Sequence, residues 1–140
     1  MTGTRLEWKG GMTFDAELNG HHFYIDAAET AGGKNLGPRP KGLLLSGLAG
    51  CTGMDVVSIL KKMKVEDFTF ALEVSADSTE EHPKTYHTIY LNYIFAGSDL
   101  PADKIKRAVE LSETKYCGVS AMLGKAAKIK SRIIANGKEI

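Results

Sequence analysis

Two cysteines, Cys51 and Cys117, are the residues of this 140-residue chain best suited to chemistry beyond packing. Two thiols cannot build a disulfide-dense scaffold or a four-cysteine zinc site, so they act as one pair or as two independent thiols. A thiol reacts as its thiolate, which forms only beside a cation or well-placed hydrogen-bond donors. The helix around Cys51 offers neither. The nearest basic residues in it are Lys41 and Lys61, and Asp55 follows one turn after the cysteine, where its charge opposes ionisation unless it is itself neutralised. Activation of Cys51 must therefore come through tertiary contacts, and Asp55 in so apolar a segment requires a partner. Cys117 is placed differently, because Lys115 is near and Gly118-Val119-Ser120 opens a helix whose unpaired N–H groups favour a thiolate. The structural alternatives are a small buried hydrophobe for Cys51 and a simple helix cap for Cys117.

No other constellation competes with the two thiols. His21, His22, His82 and His87 match no metal-ligand spacing, and adjacent residues of a strand point to opposite faces, so no metal site is expected from them. Gly32-Gly33 and Gly37 lack the strand-to-helix context of a dinucleotide loop, and no Ser-centred elbow is present. Lys125, Lys128, Lys130 and Arg132 read as a solvated face. Eighteen basic against seventeen acidic residues leave a net charge of +1, too little to neutralise a phosphate backbone, which excludes nucleic acid as a partner. No cofactor is implied.

The elements that hold these residues follow from periodicity. Residues 5–8, 12–18 and 22–26 alternate as strands, and Asn19-Gly20 between the last two is a type I′ hairpin signal. Residues 31–40 carry Gly32, Gly33, Gly37, Pro38 and Pro40 and form a loop that stops before a helix. Residues 41–64 are helical and apolar almost all round, so the helix should be buried on most sides. Gly47, Gly50 and Gly53 recur in it every third residue, at about 1 kcal/mol each relative to alanine. Close approach of another helix along this small-residue strip would offset that cost. One 140-residue chain has too few elements to wrap such a helix, so a second copy is expected to supply part of the cover.

Residues 67–76 and 85–95 form a second hairpin, joined by a polar turn containing His82-Pro83. Residues 102–112 and 117–128 follow as helices and 129–135 as a strand, closed by an Asn136-Gly137 turn. The order β-β-β-α-β-β-α-α-β has no repeat, and its hairpins argue for an α+β fold in a single domain, residues 1–140. No uncharged run, that of residues 42–54 included, reaches the roughly 20 residues a bilayer span requires. No membrane partner and a cytoplasmic location are the expectations.

The residues Gly37-Pro38-Arg39-Pro40, Leu43-Leu44-Leu45, Gly50-Cys51-Thr52 and Asp55-Val56-Val57 resemble the first signature of the OsmC/Ohr family of osmotically inducible and organic-hydroperoxide-resistance proteins. His82-Pro83-Lys84, Leu111-Ser112, Lys115-Tyr116-Cys117 and Val119-Ser120 resemble its second, and the likeness is greatest to the YhfA-like branch. The resemblance implies antiparallel sheets around two long central helices in an intertwined homodimer. It implies a thiol-dependent peroxidase in which Cys51 attacks an organic hydroperoxide, Cys117 resolves the product to a disulfide, and an external dithiol reduces it. Leu44, Leu48 and Met54 would then contact the substrate's hydrocarbon. Two positions depart from the family's peroxidases: Gly42 stands where they carry a glutamate, and no arginine lies between Arg5 and Arg39. Arg39 or Lys34 would have to supply the cation, and Gly118 replaces the usual proline after the second cysteine. Two other functions fit the same residues: a noncatalytic binding protein for an apolar small molecule at the dimer interface, and a thiol redox sensor.

Overall fold

The computed structural model describes all 140 residues, in two compact units, residues 1–44 and 45–140. Together they hold three α-helices and two sheets, an α+β fold as the sequence led us to expect.

The first unit is a three-stranded antiparallel meander of β1 (Thr4–Trp8), β2 (Phe14–Leu18) and β3 (His21–Ile25), in that spatial order. Asn19 and Gly20 take φ of 52° and 78° and close the turn between Leu18 and its partner His21, the type I′ geometry read from the sequence. Beyond β3, Asp26 is buried and organises the glycine-rich loop. Its carboxylate accepts from the Thr13 hydroxyl (3.0 Å) and from the backbone N–H groups of Ala27 (2.7 Å), Lys34 (3.3 Å) and Leu36 (3.2 Å). Burial pushes its pKa up, but these four hydrogen bonds outweigh burial and hold it below the ordinary value. Glycine is obligatory at two points of the loop, because a Cβ on Gly33 or Gly37 would overlap the carbonyls of Ala27 and Tyr24. Leu6, Trp8 and Tyr24 remain exposed on this sheet.

The second unit packs helices on a four-stranded sheet of order β4-β5-β6-β7, formed by β4 (Thr69–Ser78), β5 (Tyr86–Ala96), β6 (Lys128–Ala135) and β7 (Lys138–Glu139). The hairpin of β4 and β5 is antiparallel, as expected, and alternation along β5 buries Ile89, Leu91, Tyr93 and Phe95. Wholly antiparallel sheets, however, is a reading the structure corrects: β5 and β6 pair in parallel, Ile89 opposite Ile129. The helical crossover between them, α2 (Ala102–Leu111) and α3 (Gly118–Leu123), supplies the long connection a parallel pair requires. The helix expected over residues 117–128 is shorter, and a π-helical turn, Ser112–Tyr116, continues α2 instead. Strand β7 was missed, since two residues are too few to show alternation.

The long helix, α1 (Gly42–Lys62), gives Leu48, Val56 and Leu60 to the core, where they meet β5 residues and Ile105, Ala108 and Val109 of α2. By length and composition alone its 21 residues are long and apolar enough to cross a membrane, with mean hydropathy 1.7, although the uncharged run within them is shorter. Its core contacts mark it as a packing helix. The expected burial on most sides is also not met within one chain: only 28% of its apolar window is covered, Met54 is 77% exposed, and Leu44 and Val57 are exposed as well. No atom of this chain would meet a Cβ at Gly47 or Gly50, while one at Gly53 would touch Leu72 at 3.0 Å. The only long helix in the chain is α1, so no tight helix crossing forms over the strip within a single copy.

Candidate functional site

The second unit brings Cys51, Asp55 and Cys117 together. The two sulfurs and a carboxylate oxygen all lie within 4.8 Å of one another, although Cys51 and Cys117 are 66 positions apart in sequence. Helical geometry accounts for half of this, since Cys51 and Asp55 are one turn apart on the same face of α1. The other half is tertiary. The π-helical turn ends with the Cys117 N–H donating to the Ser112 carbonyl (2.8 Å), and the chain then extends at Cys117 before α3 begins. Cys117 is thereby swung under α1 and is only 3% exposed; Cys51 is half-buried, and both thiols are free.

The sulfur of Cys117 caps α3, as expected, and accepts from the Ser120 N–H at 3.3 Å. The expectation that this would favour a thiolate is corrected. Burial and a hydrogen bond with Cys51 outweigh the Ser120 donor and push the Cys117 thiol up to about 11. Burial wins because a single backbone N–H does not replace the hydration that an anion loses there.

The required partner for Asp55 is Ser112, whose hydroxyl donates to the carboxylate at 3.0 Å. Beside this pair lies a cavity of about 260 Å³ lined by Asp55, Ser58, Ile59, Lys62, Leu111 and Tyr116. Lys62 lines it as well, whereas the sequence pointed to Lys34 or Arg39 for a cation; a spacing of seven from Asp55 was the available signal. A second buried group, Tyr93, donates its hydroxyl to Glu113 at 3.0 Å, and burial together with Glu113 raises the phenol pKa. That bond ties β5 to the π-helical turn preceding Cys117. Neither Tyr93 nor Glu113 carries a sequence signal, because their meeting depends on the crossover.

The residues expected to contact substrate are dispersed. Leu48 is fully buried in the core. Met54 lines an apolar groove of about 540 Å³ with Ala49, Gly50, Gly53, Val57, Phe70 and Leu72 among its walls. Leu44 is exposed at the end of the first unit. Arg39 spends its guanidinium on its own loop, donating to the carbonyls of Gly37 (2.8 Å) and Asp26 (3.3 Å) and to the Asn35 side chain (2.6 Å). Lys34 uses its backbone N–H on Asp26.

Residues 32–132, most of the chain and both thiols included, match the family described as OsmC-like protein. The chain belongs to the OsmC-like family. A curated relative, protein YhfA of Escherichia coli K12, is 36% identical over 126 residues, 89% of this chain and 91% of that protein. Among solved structures, a hypothetical protein from Aquifex aeolicus VF5 is similar at TM-score 0.81 and 28% identity, covering 97% of this chain and 98% of that one. The organic hydroperoxide resistance protein OhrB of Bacillus subtilis is similar at TM-score 0.65 and 18% identity, covering 95% and 97%, which extends the shared fold to it. This OsmC-like chain thus carries the family's α+β architecture with a close pair of cysteines in its second unit.

Proposed function

We propose that this OsmC-like chain, acting as one domain over residues 1–140, is a thiol-dependent peroxidase that reduces organic hydroperoxides through Cys51 and Cys117. The observation that carries the reading is the meeting of two free sulfurs from distant parts of the sequence. Cys51 is the attacking residue, because it is the more exposed thiol while burial keeps Cys117 protonated. Its thiolate attacks the terminal peroxide oxygen, the O–O bond breaks, the alcohol departs, and Cys51 is left as a sulfenic acid. Cys117 then displaces water from that sulfur to form the disulfide, and an external dithiol returns two electrons and two protons. Lys62, on the cavity next to Asp55, stands where a cation can offset the carboxylate's opposition to the Cys51 thiolate.

The functional unit in this reading is a cytoplasmic homodimer. The uncovered Gly47 and Gly50 and the exposed Met54 and Val57 support it, since they leave on α1 an apolar, small-residue face that a partner α1 can cover. Light scattering at micromolar concentration is expected to give twice the mass of the chain, and a monomer mass would refute this part. Consumption of cumene hydroperoxide with a dithiol reductant tests the chemistry. Cys51→Ser is expected to abolish it and Cys117→Ser to reduce it sharply; wild-type turnover no faster than buffer would end the reading.

A noncatalytic function is favoured by one observation, the apolar groove of about 540 Å³ beside Met54, which a hydrocarbon ligand would fill at a dimer interface. Native mass spectrometry of freshly purified protein separates the two. A co-purifying ligand with unreactive thiols supports binding, and an oxidised Cys51–Cys117 pair supports redox work. A sensor would show oxidation of the pair with little turnover.

A further inference from the structure

The cluster of Cys51, Asp55 and Cys117 has a property that thiol redox chemistry does not use. It presents two sulfurs and a carboxylate oxygen to one point, each within 4.8 Å of the others. We propose that these three side chains form a binding site for a thiolate-preferring divalent metal ion of the zinc type, with water as a fourth ligand.

Donor number and type point to the class of ion. Two sulfurs and one oxygen suit a borderline-soft cation that accepts tetrahedral geometry, and they exclude magnesium and calcium, which take oxygen donors. With metal–sulfur bonds of about 2.3 Å and metal–oxygen bonds of about 2.0 Å, tetrahedral ligand atoms stand roughly 3.3–3.8 Å apart. Side-chain adjustments of about 1 Å or less bring the cluster to that spacing. The outer groups are already in place. Ser112 donates to one carboxylate oxygen of Asp55 and fixes its orientation, and the Ser120 N–H donates to the Cys117 sulfur. A cavity borders the cluster on the Asp55 side, with Tyr116 and Lys62 also on its wall. The partner that the fold gives Asp55, the Ser112 hydroxyl, is neutral and leaves the carboxylate its charge.

Binding is a proton exchange: the ion displaces the two thiol protons, two metal–sulfur bonds form, and two protons leave to solvent. The site shares its cysteines with the proposed peroxidase but does not depend on that activity, and an occupied site holds both thiols reduced and unavailable to peroxide.

Cobalt(II) added anaerobically to the reduced, chelator-treated full-length protein is the test. The expected result is one equivalent bound per chain, a sulfur-to-cobalt charge-transfer absorption sized for two thiolates, tetrahedral visible bands, and displacement by zinc. Cys51→Ser and Cys117→Ser should each halve the charge-transfer band and weaken binding by about a hundredfold or more, and Asp55→Asn should weaken it about ten- to a hundredfold. Circular dichroism and melting of each variant exclude unfolding as the cause. The wild-type band intensity itself counts thiolates without any variant. Absence of the band, or cobalt binding undiminished in both cysteine variants, would overturn the site. Peroxide turnover, assayed separately after chelation, distinguishes failure of this proposal from failure of the peroxidase.

Discussion

Replacing Gly50 by alanine separates two energies that act at one position of α1. Within a single chain nothing lies within 4 Å of the new methyl, so the substitution removes only the glycine's helix penalty, about 1 kcal/mol. A folded monomer should gain that amount and melt about 4 °C higher. In a dimer that closes strip against strip, the same methyl enters a contact shaped for glycine. Overpacking a close contact costs about 2 kcal/mol, the middle of the usual range, and twofold symmetry introduces it twice. The propensity gain is common to monomer and dimer and cancels from the association equilibrium. The dissociation constant should therefore rise by about 4 kcal/mol, roughly a thousandfold, while the monomer becomes more stable. Sedimentation equilibrium over a range of concentrations measures the first quantity, and thermal unfolding at high dilution the second. A dissociation constant unchanged within threefold, beside a higher melting temperature, would show that Gly50 faces solvent and that the strip does not hold the protomers together.

Three further outcomes follow from named contacts. Leu91→Ala empties a fully buried position of β5 and should cost about 3 kcal/mol in denaturant unfolding; a loss below 1 kcal/mol would mean the core at this strand collapses around the gap. Tyr93→Phe leaves Glu113 without its hydroxyl partner and should cost about 1–2 kcal/mol and hasten hydrogen exchange in the π-helical turn, with unchanged exchange there refuting the tie between β5 and the Cys117 segment. Asp26 is held below its ordinary pKa in the folded chain, so its contribution to stability is present above the unfolded value near 3.8 and is lost as pH falls through the lower folded value. Proteolysis within residues 27–40 should accelerate only under those acid conditions in the wild type, but already at neutral pH in Asp26→Asn, and equal resistance of the two proteins at neutral pH would refute the carboxylate's hold on the loop.

Local chemistry was legible in the sequence wherever it was set by neighbours along the chain. Asn19-Gly20 closes its hairpin because only a few residues tolerate positive φ, and the alternation of β5 announces a strand with one face inward. The largely apolar make-up of α1, its glycines every third residue and the need of Asp55 for a partner could all be read directly. What the sequence withheld depends on which distant segments meet. The parallel pairing of β5 with β6 depends on the crossover through α2 and α3, and the choice of Ser112 over a cation for Asp55 depends on the same crossover. The thiol of Cys117 shows the limit most clearly. Its place at a helix start predicted an easily ionised sulfur, and the helix start is there. Yet only the fold decided how much water the sulfur keeps, and losing that water costs an anion more than one N–H restores.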